Sequence, residues 1–133
     1  MAILLSWRGY VSGLVFSKRD NALRHWTATI THLQLTIGLL LYLHSPIVQF
    51  FWKYKDVNSP TFEATFYSLI HALLMFFAII VVTIGSAKAK RMSTDKEKFR
   101  TVLLWFSLSF LIILVAIPWP FSPLANRPLI RPI

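Results

Sequence analysis

The 133-residue chain contains no cysteine, which removes a disulfide framework, a thiolate zinc site, an iron–sulfur cluster and covalent c-type haem attachment in one step. Acidic residues are almost as scarce. Five Asp and Glu stand against fourteen Lys and Arg, for a formal net charge of +9. No catalytic acid, base or nucleophile stands out, so the residues lean away from an enzyme. Glu63, the one carboxylate near a long apolar run, suits a helix start, where it faces the positive end of the helix dipole. Internal repeats and low-complexity tracts are also missing.

What is present in excess is apolar surface. Hydrophobic residues make up 56% of the chain and the mean hydropathy is +0.59, more than a soluble domain of this length can hide from water. The expected fold is all-α: an integral membrane helix bundle in a single domain, with room for three or four spans of about 20 residues each. The basic residues cluster beside apolar runs and form no recognisable nucleic-acid module. Lipid headgroups and topology control account for them, so the bilayer is the expected partner and nucleic acid is not.

Four apolar segments follow one another. "MAILLSWRGYVSGLVF", residues 1–16, is interrupted by Arg8, Gly9 and Gly13 and is too short to span, so a partial N-terminal helix is expected there. It lacks the layout of a signal peptide. Three complete spans are expected over about 22–43, 62–85 and 99–117, the first capped by Asp20 or Asn21, the second starting near Ser59 or Thr61. "PWPF", with Pro118 and Pro120, ends the last. Residues 45–61, from Pro46 through an aromatic run with Lys53 and Lys55, read as an interfacial connection, and 86–98 as a basic loop.

The positive-inside rule sets the orientation. Lys18, Arg19, Arg24, Lys88, Lys90, Arg91, Lys96, Lys98 and Arg100 mark 17–24 and 86–100 as cytoplasmic in a bacterial inner membrane. Lys53, Lys55, Arg127 and Arg131 are left outside, and the C-terminus is expected in the periplasm.

Histidine is the main remaining candidate metal ligand. His25 and His44 fall at the ends of the 22–43 span, where an interface accounts for them. His32 and His71 fall deep within their spans, where a polar group needs a partner. Measured from the outer ends at about 1.5 Å per residue, they reach similar depths, so they are expected to face each other. His25, Thr29, His32, Thr36 and Leu39 share one stripe; Ala64, Tyr67, Ser68, His71, Met75, Ala78, Val82 and Gly85 share another. Both are expected to face protein, and Gln34 and Gly38, pointing away from the His32 stripe, imply protein on the other side of the second span too, either the last helix or a neighbouring chain. Two such imidazoles can be the axial ligands of a haem b, or can hydrogen-bond to neighbouring hydroxyls and hold helices together; the residues leave both open.

"HLQLTIGLLLYL", "FYSLIHALLMFFAIIVVTIGSAKAKR" and "KFRTVLLWFSLSFLIILVAIPWPF" together resemble a small family of four-helix bacterial membrane proteins often labelled cytochrome b or cytochrome b-like. The resemblance runs from about Lys18 to Phe121, carried by the His-x-Gln-Leu pattern at His32, the intramembrane His71, "TIG" before a basic loop, and the terminal "IPWPF". It implies a four-helix bundle and haem binding. The family has a complete, histidine-containing first helix, so a late start or a truncated first helix is expected here.

The leading expectation is a b-type cytochrome-like subunit, with haem b on His32 and His71, passing electrons between a quinone and a partner. The other is a cofactor-free structural or assembly subunit. Either would be a homo- or hetero-oligomer with other membrane subunits.

Overall fold

The computed structural model describes residues 1–54 and 61–119, and these are helical throughout, with short connections. Lys55, Ser59, Pro120, Phe121, Arg127 and Arg131, invoked above for the outer loop and the tail, lie outside the described residues. The elements are α1 (Ala2–Val11), α2 (Lys18–His44), α3 (Pro46–Tyr54), α4 (Phe62–Thr65), a π turn (Phe66–Ile70), α5 (His71–Arg91) and α6 (Asp95–Ala116). From α4 through the π turn and α5 the chain forms one helix, Phe62–Arg91. This helix and α6 are each long and apolar enough to cross a membrane. A third crossing exists if α2 and α3, bent by 59° at their junction, count as one span.

Capping sets the boundaries. Ser17 caps α2 and exchanges bonds with Asp20, so Asp20 is the third residue of a capping box and neither it nor Asn21 is the cap. Thr61 caps α4 by accepting from the Ala64 N–H, and Thr94 caps α6 in a second box with Glu97. Helix α5 continues to Arg91, which shortens the expected basic loop to three residues, Met92 to Thr94. The expected interfacial segment carries α3 after Pro46, because proline at a first helical position gives up an N–H that would go unpaired anyway. Gly13, with φ at 61°, takes the left-handed turn that reverses the chain after α1.

The core lies at the basic end, where α1, α5 and α6 meet. Ala2, Val82, Ala89, Val102 and Phe106 are buried together there, with Trp105 and Phe16 packed against them. Two glycines permit the close approach. A Cβ on Gly9 would run into the Phe99 ring, and one on Gly85 into Cβ and Cγ of Trp105. Farther along the same seam the buried Ser109 hydroxyl donates to the Ala78 carbonyl at 2.8 Å. In hydrocarbon a hydroxyl answered across the seam in this way holds two helices in register.

Gly85→Ala is therefore expected to destabilise the bundle by about 1–3 kcal/mol through overpacking, since the atom it meets is a Cβ fixed to backbone. Thermal unfolding in detergent, followed by circular dichroism, measures it. At the start of α6, hydrogen bonds from the Thr94 side chain, the Thr94 N–H and Ser93 hold the Glu97 carboxylate below the usual carboxylate range. The stabilisation is then complete above the unfolded-state pKa and lost as pH falls through the lowered one. Amide protection in the first turn of α6 is expected to decline only in strong acid. In Glu97→Ala it is expected to be lower, without that acid dependence.

Candidate functional site

Three polar layers tie the helices together. At the basic end Arg24 is 6% exposed: Nη1 donates to the Ser86 carbonyl at 2.8 Å and to the Ser86 hydroxyl, while Nε and Nη2 donate to the Asn21 amide oxygen at 3.3 and 2.9 Å. The sequence reading counted Arg24 among the topology-setting charges. Its burial shows that it also fixes α2 to α5. The one signal in the sequence is position: it stands a turn further into the apolar run than Lys18 and Arg19.

Arg24 also sets how α2 is rotated. With it turned inward, Arg24, Ala28, Thr31, Leu35 and Tyr42 become the buried or half-buried line of α2, and Gly38 falls on the same line at alternating spacings of four and three. The stripe expected to face protein lies one residue, or about 100°, further round. His25, His32, Thr36 and Leu39 on it are exposed, and only Thr29 is half-covered. Gln34 and Gly38, on the side away from that stripe where further protein was expected, are exposed themselves and border a cleft beside His71. On the other helix the expected stripe does face inward, with Ala64, Ser68, Ala78, Val82 and Gly85 buried.

At the middle layer the His32 Nδ1–H donates to the Ala28 carbonyl at 2.7 Å, so in the neutral ring Nε2 is the acceptor, 3.1 Å from the Thr83 hydroxyl. Thr83 has one proton to share between that nitrogen and the Ile79 carbonyl at 2.6 Å. At the outer layer the Trp52 N–H donates to the Tyr42 oxygen at 2.9 Å, and the Tyr42 hydroxyl donates to the Ser68 carbonyl in the π turn at 2.8 Å. The Ser68 hydroxyl itself is buried without a partner among the described residues. The His71 Nδ1–H, immediately after that turn, donates to the Ala116 carbonyl at the end of α6, at 2.8 Å.

The two deep histidines are thus not brought together. His32 is level with Thr83, twelve residues or roughly 18 Å along α5 from His71. Reckoned from the Tyr42–Ser68 contact, the offset is roughly 10 Å. Axial ligation of one metal needs the two nitrogens within about 4 Å, twice a metal–nitrogen bond. The pair does not fit a haem between them within one chain. The expectation of matched depth took the outer ends of the two spans as level, whereas the helix starting at Phe62 passes Ser68 before it meets Tyr42 near the end of α2. Among the described residues no three His, Asp or Glu side chains gather as a metal site. His44 ends α2 and donates to Leu40, whereas His25, exposed beside Trp26, is the eighth residue of a helix that begins at Lys18.

Two clefts meet at the seam between α2 and α5, sharing Gly38, Tyr42 and His71. One, of about 480 Å³, opens toward α3 and includes Tyr67 and Val48; the other, of about 270 Å³, includes Gln34, Met75, Phe76 and Ile113. A Cβ on Gly38 would meet nothing within 4 Å, in contrast to Gly9 and Gly85. Glycine in a helix costs about 1 kcal/mol relative to alanine, and here the chain's own packing returns nothing for it. A third space, about 660 Å³, lies beyond Met1 between α1, α2 and α6. No family model, no curated protein and no solved structure matches the chain.

Arg24→Ala is expected to cost about 1–3 kcal/mol, because the groups at Ser86 and Asn21 lose their partner. Arg24→Lys should recover only part of this, since an ammonium cannot span both sites as the planar guanidinium does. Unfolding of the two variants in detergent, compared with Ser86→Ala, checks it.

Proposed function

We propose that the chain is a multi-pass membrane subunit whose role is assembly, presenting the outward face of α2 to another transmembrane helix. One observation carries this reading: on the polar stripe His25, Thr29, His32 and Thr36 three residues are exposed, and among the described residues His32 alone bonds to another helix, at Thr83. Such residues facing acyl chains are disfavoured, and hydroxyl and imidazole groups on a helix surface are what a second helix pairs with. The Thr29 and Thr36 hydroxyls donate to the carbonyls of His25 and His32, which leaves their oxygens free to accept from a neighbour.

In this reading α2 with α3, the helix from α4 through α5, and α6 are the three spans, with α1 a partial helix beside them. The basic end, with Lys18, Lys88, Lys90 and Lys96, faces the cytoplasm of a bacterial inner membrane, and the outer end with α3 faces the periplasm. Lys88 and Lys96 lie over the rings of Trp105 and Tyr10, an arrangement suited to an interface.

The cytochrome reading, with haem b and a quinone-linked electron path, rests on the resemblance and on one feature of His71. Its Nδ1–H is spent on a carbonyl, as in many metal-bound histidines, which leaves Nε2 able to bind. With His32 out of reach, a second axial ligand would have to come from a neighbouring subunit.

A photoreactive side chain placed at Thr36, and separately at His25, is expected to cross-link one and the same membrane protein, whether a second copy or a different chain. At Leu108, exposed on α6, lipid adducts are expected. Equal lipid labelling at all three positions sinks the assembly role. Protein expressed with added haem is expected to show no Soret band; a band lost in His71→Ala would instead establish the cytochrome.

A further inference from the structure

We infer that, however α2 assembles with other chains, a cleft at the basic end binds the headgroup of an anionic phospholipid, taking its phosphodiester between Lys18, Lys90 and Lys98. The cleft holds about 240 Å³ and lies where the start of α2, the end of α5 and the start of α6 come together.

Three ammonium groups from three different helices line this one opening. Like charges gathered in a cleft raise its potential, and an anion placed among them relieves the repulsion. Lys18 and Lys90 have no ion pair among the described residues; Lys98 is shared with Asp95 at 3.4 Å. The positive end of α2 adds to the attraction and the negative end of α5 takes about as much away, so the side chains carry the site.

Asn21 supplies a neutral donor. Its Oδ1 accepts from Nε and Nη2 of Arg24 at 3.3 and 2.9 Å, which turns the amide NH2 the other way. That NH2 donates to nothing among the described residues, and Asn21 borders the cleft. The buried arginine thus orients a donor for an oxygen it does not itself reach.

Charge balance selects the kind of phosphate. Asp20, bonded to Ser17, and Asp95, bonded to Lys98, offset two of the three ammonium groups. One positive charge is left, which matches the single negative charge of a phosphodiester better than the two of a monoester. A zwitterionic headgroup brings an ammonium of its own and is disfavoured beside three lysines.

The walls select a lipid over a soluble diester. Phe16, held by an edge contact with Phe99 at 4.9 Å between ring centroids, and Ala89 give the cleft an apolar side. Just ahead of Phe16, Leu14 and Val15 are 47% and 76% exposed, a surface that suits acyl chains and that water disfavours. Lys88 and Lys96, by contrast, lie over Trp105 and Tyr10 and line no part of this cleft.

The test uses the full chain in neutral detergent, titrated with dihexanoyl phosphatidylglycerol and, in parallel, dihexanoyl phosphatidylethanolamine and the deacylated glycerophosphoglycerol, with calorimetric readout. Phosphatidylglycerol is expected to bind one to one, about tenfold more tightly than either of the others. The double variant Lys18→Gln, Lys90→Gln should bind it about thirtyfold more weakly with the melting temperature retained, about fivefold for each ammonium removed. Lys88→Gln with Lys96→Gln takes the same charge from the same end and should stay within about twofold of the unaltered chain, since exposed charges away from the cleft are screened. If the Lys18, Lys90 variant does not fold, the single exposed change Lys90→Glu takes its place. Equal losses in the two double variants reduce the site to diffuse surface charge and overturn it, as does phosphatidylethanolamine binding as tightly as phosphatidylglycerol. Glycerophosphoglycerol matching the lipid shows a site for a soluble diester and overturns the lipid.

Discussion

The guanidinium of Arg24 cannot sit in hydrocarbon without partners, and it finds them in Ser86 and Asn21. That requirement turns α2 about its axis, and the rest of the helix follows. Ala28, Thr31, Leu35 and Tyr42 come to lie buried or half-buried, and His25 and Thr36 come to face away, with the exposed His32 at the edge where it still meets Thr83 of α5. The energy involved is local to one end, but a helix is stiff enough to carry the rotation along its length. A single buried charge therefore decides which of two equally spaced stripes becomes seam and which becomes outer surface.

The other helices are held by different means. Between α5 and α6 the contact is close because Gly85 lets Trp105 approach the backbone, and Ser109 binds a carbonyl across the gap. Between α2 and α5 the contact is made by side chains at intervals: Arg24 at one end, His32 with Thr83 further along, Tyr42 at the other. The outer tie depends on the π turn, whose wider hydrogen bonding lets the Ser68 carbonyl take the Tyr42 proton. The two ends of the seam give different axial offsets for His32 and His71, which is the mark of helices that cross at an angle and do not run parallel.

Much of the bundle was legible in the sequence. The apolar runs, the proline stops and the hydroxyl at Thr61 located the long helices, because length and capping are local properties. The face of α2 was not legible. Stripes starting at Arg24 and at His25 repeat with the same alternation of four and three, so periodicity alone cannot choose between them. Polarity pointed to the histidine stripe, whereas the charge that needed burial most was Arg24. The depth of His71 was likewise hidden, since it depends on where the Phe62–Arg91 helix begins relative to the end of α2. That is fixed by a contact between Tyr42 and Ser68, 26 residues apart. Ser17 was missed as the cap because Asp20 is as good a capping residue in isolation; only the reciprocal bonds of the box distinguish them.

Helix α2 is the least apolar of the candidate spans and qualifies only together with α3. Its attachment is correspondingly uneven. Arg24 and Tyr42 fasten its ends, and between them Ala28, Thr31 and Gly38 present little bulk to α5. A seam fastened at both ends and thin in the middle opens sideways, toward the acyl chains. The clefts at Gly38 lie near the Tyr42 fastening, and His71 lines both of them. His32 is exposed and meets Thr83 of α5 at the edge of the seam, whereas His71 is half-buried and bonds Ala116 of α6, so the two deep histidines, alike in the sequence, tie different pairs of helices.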